Sequence, residues 1–268
     1  MGLLVDAHCH YQDPRLRGVD LSRLPLFGVR QAVVNGSSEE DWGDVAKLAS
    51  LHPDFIRPAF GLHPWYTAER SPRWRKSLEA MLNAHPGSSV GEIGLDRWIT
   101  PHNFPDQETV FLEQLQLAAD RNLAASIHCL KAWGRLLELL RSHARPARGF
   151  LLHSYGGSWE MAQSLLELGA SFSFAGYFLQ ARKTAVQEVF RQLPLDRILV
   201  ETDAPDQCLP PELDGYPLND PHKPSRRINH PANLVPVYRE FANLRGIPQR
   251  DLELALWDNF LNLFGKIG

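Results

Sequence analysis

Apolar residues along the chain fall into two alternating rhythms. Short runs of β-branched or large aliphatic residues, each bounded by Gly, Pro, Asn or Asp, read as strands. They cover residues 3–10 ("LLVDAHCH"), 31–36, 56–63, 88–96 ("SSVGEIGLD"), 123–129, 149–156 ("GFLLHSYG"), 170–176 and 197–205 ("RILVETDAP"). Between them, residues 39–51, 73–84, 107–121, 132–142, 159–168, 181–193, 232–244 and 249–264 repeat apolar positions at spacings of three and four, which predicts amphipathic helices. In 107–121, Val110, Phe111, Leu115, Leu117 and Ala118 cover one face, and Glu113, Gln116 and Asp120 point to solvent. Eight strand–helix alternations predict an α/β fold, a closed (β/α)8 TIM barrel occupying residues 1–268 as one domain. The rival, an open doubly wound sheet, calls for a Gly-rich phosphate turn after the first strand. The segment found there, "HYQDPRLRG", is not one. The long irregular stretch 205–231 is rich in Pro and Asp, and a loop longer than about 15 residues in a compact domain is usually functional.

Composition fits this picture. The chain has 268 residues, 44% of them hydrophobic, close to the ~250 typical of one such barrel. No run is long and apolar enough for a membrane span, and the N-terminal residues lack the pattern of a signal peptide. Three cysteines, Cys9, Cys129 and Cys208, leave one unpaired in any disulfide scheme. They are expected to be reduced, in a cytoplasmic protein. A net charge of −3 excludes a globally basic nucleic-acid footprint, so any such contact is local.

Candidate chemistry lies at the predicted strand ends, where barrels carry their reactive groups. His8 and His10 end strand one, His63 strand three, Glu92 lies on strand four, His128 on five, His153 on six and Asp203 on eight. Residues two apart share a strand face, so His8 and His10 both point into the mouth while Cys9 turns toward the helices. A lone histidine at a strand end is usually structural. Five histidines and two carboxylates at one level form the ligand mix suited to a divalent ion such as Zn or Mn. Of the other histidines, His52 and His85 close helices and His102 and His143 are expected at the surface, while His222 and His230 lie in the long loop with no role assigned from the sequence. Nucleophile schemes are weaker, since the chain holds neither a G-x-S-x-G elbow nor a phosphate-binding P-loop.

The motifs "DAHCH", "FGLHP", "GEIGLD", "IHC", "HSYGG", "VETDAP" and "KPSRRINHPANL", in this order, resemble those of the TatD family of metal-dependent deoxyribonucleases, within the amidohydrolase-like barrels. The resemblance extends to the C-terminal "DNFLNLFG". It implies two divalent metal ions (Zn, Mn or Mg) at the barrel mouth: His8, His10 and Asp203 on one, His128 and His153 on the other, Glu92 bridging. His63 is implied as a phosphate contact or outer ligand. Three departures from the family pattern bear on substrate preference: Cys129-Leu130 in place of Ser-Arg, "HSYGG" in place of His-Cys-Phe-Ser-Gly, and His230 in place of a glutamate.

The implied activity is hydrolysis of a phosphodiester, of a 3′-5′ exonuclease type on single-stranded DNA or duplex ends. Asp203 and Glu92 are the expected catalytic residues, Asp203 orienting the nucleophile and receiving its proton. Glu201, two residues before Asp203, shares its face and is a candidate partner for a ligand histidine, or an ion-paired carboxylate within the barrel. Trp65 and Tyr155 are expected to stack unpaired bases. Arg226 and Arg227, with Lys223, are expected to meet flanking phosphates. Two alternatives carry different expectations. Another barrel hydrolase, acting on a lactone, amide or phosphotriester, commonly bridges its metals with a carboxylated lysine on strand four, where this chain has Glu92 and no lysine. A non-enzymatic scaffold derived from a nuclease is expected to lack a ligand, and all six are present.

Overall fold

The structure is a computed structural model, and it describes residues 2–100 and 103–266. Eight parallel strands form one sheet in sequence order: β1 (Leu4–Cys9), β2 (Val29–Asn35), β3 (Ile56–Phe60), β4 (Ser89–Asp96), β5 (Ala125–Leu130), β6 (Phe150–Leu152), β7 (Ala170–Ala175) and β8 (Ile198–Glu201). The first and last strands meet. Asp203 N donates to His8 O at 3.0 Å and His10 N to Ala204 O at 2.8 Å, which makes the sheet a TIM barrel.

Among the described residues, seven of eight α-helices follow the expected spacing closely: α1 (Trp42–Leu51), α2 (Trp74–Ala84), α3 (Phe104–Arg121), α4 (Trp133–Ser142), α5 (Trp159–Leu166), α7 (Leu234–Arg245) and α8 (Gln249–Phe264). Helix α6 (Thr184–Gln192) is shorter than expected, because residues 181–183 form a separate 3-10 turn. The alternation itself is imperfect. β1 and β2 are joined by 3-10 turns at Pro14–Leu16 and Leu21–Phe27, while both α7 and α8 follow β8. The stretch 205–231, expected to be irregular, contains a hairpin of β9 (Leu218–Asp220) and β10 (Lys223–Ile228).

Helix α3 shows how the outer ring sets the site. Its N-terminus is capped by Asn103, whose side chain accepts from Asp106 N, and it ends at Asn122 in the left-handed region. The expected apolar face is buried, and so are Gln107 and Gln114. Gln114 Oε1 accepts from Leu62 N (2.7 Å), and Gln107 Oε1 accepts from Asp96 N (2.8 Å). A buried amide left unpaired is costly, so these bonds pin the C-terminal ends of β3 and β4.

Two apolar clusters form the core. The larger lies between strands and helices. The smaller joins Val5, Ala7, Val33, Ala59, Leu151 and Leu199 to Phe260, Leu263 and Phe264 of α8. By the period-2 rule Leu151 shares the face of His153, and Leu199 that of Glu201, so this cluster fills the barrel beneath the site. The end of α8 passes under it, where Phe264 O accepts from Arg57 of β3 at 3.0 Å. A register shift between Asp6 and Cys9 in β1 lets Ala7 belong to the inner cluster while His8 just above it also faces inward.

Candidate active site

Glu92 is the centre of the site. It is 3% exposed, and its two carboxylate oxygens face different histidines. Oε2 lies 3.4 Å from His8 Nε2 and 3.3 Å from His10 Nε2. Oε1 lies 3.4 Å from His63 Nε2, 3.2 Å from His128 Nδ1 and 2.8 Å from His153 Nε2. Asp203 Oδ1 completes the first side, 3.4 Å from His10 Nε2 and 3.7 Å from His8 Nε2. The backbone permits this convergence. Any Cβ on Gly94, which has φ +149°, would collide with the His128 carbonyl, so only glycine lets β4 lie this close to β5.

The outward hydrogen bonds fix which nitrogens face inward. His10 Nδ1 lies 2.9 Å from Asn35 O, which can only accept, so Nδ1 carries hydrogen and the neutral ring presents the Nε2 lone pair to the site. His8 Nδ1 is held by Ser126 Oγ at 2.8 Å, leaving its Nε2 3.2 Å from that of His10. Two imidazole nitrogens and two carboxylate oxygens thus converge, a donor set that fits a divalent cation. Sets of ligand atoms close enough to hold a metal are His8, His10 and Glu92; His63, Glu92 and His128; and His8, His153 and Glu201. His153 Nδ1 is buried without a hydrogen-bond partner among the described residues.

His63 is arranged differently. Its Nδ1 accepts from Trp65 N at 3.1 Å, capping the 3-10 turn Pro64–Glu69. In the neutral ring Nε2 therefore carries the hydrogen and points it at Glu92. Burial drives His63 and His8 down to about 4, so both are neutral near pH 7. Burial also pushes His10, His128 and His153 down. For these three the neighbouring carboxylates outweigh it: Asp203 and Glu92 at His10, Asp96 and Glu92 at His128, Glu92 and Glu201 at His153. Burial raises Glu92, but the surrounding imidazoles hold it well below the ordinary carboxylate range.

Carboxylates behind the histidines orient them. Asp96 Oδ2 lies 2.9 Å from His128 Nε2, and burial is outweighed by hydrogen bonds from His128, Trp65 and Trp98 N, so Asp96 stays ionised down to about pH 2. Glu201 accepts from the hydroxyls of Ser154 and Ser173 and lies 3.7 Å from His153 Nδ1. Gln207 donates from Nε2 both to Asp203 Oδ2, at 2.9 Å, and to Ser154 Oγ. Above the site opens a cavity of about 990 Å³.

A family model described as "TatD related DNase" matches residues 5–265. The chain belongs to the TatD-related DNase family. It is 29% identical over 265 residues to the uncharacterized metal-dependent hydrolase YjjV of Escherichia coli, covering 97% of each. It is also 29% identical over 250 residues to the 3'-5' ssDNA/RNA exonuclease TatD of Pantoea ananatis, covering 92% of each. The crystal structure of the Escherichia coli YjjV superposes with a TM-score of 0.86, covering 97% of both chains. No helix among the described residues is long and apolar enough to cross a membrane.

In this TatD-family hydrolase, His8, His10, His63, Glu92, His128, His153 and Asp203 meet at one place, and Trp65 lines the cavity, 42% exposed. Other expected substrate contacts are placed elsewhere. Tyr155 is fully buried, its ring against Trp133 and Phe172 and its hydroxyl donating to Ser158 O. It has no face to offer a base, which corrects its expected stacking role. Arg226 and Arg227 lie on β10 outside the cavity lining, paired with Asp206 (3.1 Å) and Asp214. Cys9 packs outward, its thiol on Val33 O, and all three cysteines are free. His230 stacks on Tyr216, and His102 lies outside the described residues. Sequence reasoning missed Asp96, Asn35, Ser126 and Gln207. Asp96 alone carried a signal, as a carboxylate four residues past Glu92 on the same strand face.

Proposed function

We propose that the chain is a metal-dependent nuclease that removes nucleotides from single-stranded ends of DNA or RNA, in the 3′-to-5′ direction. The observation that carries this reading is the two-sided environment of Glu92, with one oxygen toward His8 and His10 and the other toward His63, His128 and His153. His8, His10 and Asp203 would hold one divalent ion (Zn, Mn or Mg), His128 and His153 a second, and Glu92 would be shared. When bound, such ions lower the pKa of water toward neutrality and stabilise charge on both the attacking and leaving oxygens of a phosphodiester.

The chain's own residues supply positioning and proton transfer. Asp203 orients the attacking water and accepts its proton, with Oδ2 steadied by the Gln207 amide. As water adds to phosphorus the P–O3′ bond breaks, the leaving 3′-oxygen takes a proton from solvent water to become a hydroxyl, and a nucleotide that bears a 5′-phosphate is released. With Glu92 engaged by metal, His63 would present its Nε2 hydrogen, which lies on the Glu92 side at 3.4 Å from Oε1, to a non-bridging phosphate oxygen. This role follows from its capping bond to Trp65 N, which occupies the lone pair that a metal ligand would need. Free cysteines support a reducing, cytoplasmic setting.

The test is a panel of purified protein with Mg, Mn or Zn against end-labelled single-stranded DNA, RNA, blunt duplex and a simple lactone. Stepwise shortening of a 5′-labelled single strand is expected. Hydrolysis of the lactone with every oligonucleotide left intact would overturn the reading.

A further inference from the structure

Large apolar side chains left in solvent gather at the mouth of the site. Six are strongly exposed among the described residues, and three of them, Trp98 (59%), Trp65 (42%) and Leu130 (37%), line the same cavity. Singly exposed apolar residues are ordinary, but a group around a polar cleft marks a ligand surface.

One carboxylate holds the Trp65 indole and the backbone that carries Trp98. Asp96 Oδ2 accepts from Trp65 Nε1 at 2.8 Å, and Oδ1 accepts from the backbone N of Trp98 at 2.6 Å and of Ile99 at 3.2 Å. Oδ2 also meets His128 Nε2. Trp65 stands directly over the chemistry, its ring centroid 4.9 Å from that of His63 and 6.4 Å from that of His128. Trp98 is the more exposed of the two and lines the same cavity.

Charges of both signs line the cavity, Arg15 among them being paired with Asp13 and Asp206. Lys131 and Lys183 line the cavity without an ion pair among the described residues, and Lys183 Nζ sits 4.6 Å from the Tyr177 ring centroid. Asp13, Glu40, Asp41 and Asp44 line it as well. A polyanion is repelled from those carboxylates and drawn to the two lysines.

We infer that Trp98 and Trp65 form a stacking site for the unpaired bases of a strand end, with Lys131 and Lys183 receiving the phosphates that follow. The inference rests on the nuclease reading and names what that site selects: bases with a free face, which a paired duplex end hides. Indoles stack on any base, so selection is for single-strandedness with little preference among sequences.

The experiment compares two oligonucleotides of equal length and charge, one carrying bases at its last three 3′ positions and one abasic there. In the Mn-loaded protein, Trp98→Ala is expected to raise KM for the base-bearing end about tenfold, the size of one lost stack, with kcat within about twofold. The abasic end is expected to be cleaved equally well by both proteins, and Trp98→Phe to recover most of the loss. Fluorescence anisotropy with chelator present is expected to show the same tenfold loss for base-bearing oligonucleotide alone. Lys183→Ala is expected to lower the salt slope of that binding by about one. Equal loss on both ends, or no loss on either, overturns the stacking site while leaving the nuclease reading intact. A wild-type protein that cleaves neither end overturns both.

Discussion

Nε2 of His128 lies 2.9 Å from the Asp96 carboxylate, while Nδ1 of the same ring faces Glu92 at 3.2 Å. A histidine held this way has its tautomer and orientation set by the outer carboxylate, an arrangement whose loss typically weakens metal affinity by 10–100-fold. Asp96→Ala is therefore expected to weaken binding of Mn or Zn by about that factor in competition with a chromogenic chelator. It is also expected to loosen Trp65, whose indole shares the same oxygen. Unchanged affinity in this variant would show that His128 needs no outer partner.

Glu92 separates the histidines into two groups, so its replacement disturbs both. Glu92→Gln keeps the size of the side chain and removes the charge at the meeting point of five imidazoles. Metal content by elemental analysis is expected to fall, and phosphodiester hydrolysis to drop by more than about 100-fold. Full metal content with full activity would sink the shared-ligand assignment.

The barrel and its ring of donors were legible because period-2 strands leave strong marks. His8, His10, Glu92, His128, His153 and Asp203 could be placed from strand position alone. What failed depended on backbone turns that periodicity does not encode. Ser154 has φ +45°, which breaks the alternation after His153 and swings Tyr155 outward, against Trp133 and Phe172. The β9–β10 hairpin was hidden for a similar reason. Its turn is an Asx turn in which Asp220 accepts from His222 N at 2.8 Å and Lys223 N at 3.3 Å, with no Asn-Gly signal to announce it. The first crossover carries short 3-10 turns, and its "PRL" and "LSRLPLF" segments are too brief or Pro-interrupted to show a helical period.

The corrected position of Tyr155 has its own consequence. Tyr155→Phe removes one buried hydroxyl bond, to Ser158 O at 2.8 Å, and leaves the ring packing intact. Stability is expected to fall by about 1 kcal/mol, read from denaturant midpoints, with KM for oligonucleotides unchanged. A large rise in KM at unchanged stability would return Tyr155 to the substrate site.

Protons and metal compete for the same nitrogens. Burial alone would lower His10, His128 and His153, but the adjoining carboxylates hold all three above the ordinary value of 6.5. A group raised on folding contributes its stability in full below the unfolded value and loses it as pH rises through the folded value. The metal-free protein is therefore expected to lose stability as pH climbs above about 6.5. A divalent ion must displace those protons, so its binding tightens with pH and releases protons. The rise in Tm on adding Mn or Zn is accordingly expected to grow between about pH 6 and pH 8. Calorimetric titration in two buffers of different ionisation enthalpy is expected to report net proton release. A thermal shift that stays constant across this range, with no buffer dependence of the binding enthalpy, would show that the histidines facing Glu92 are already unprotonated before the metal arrives.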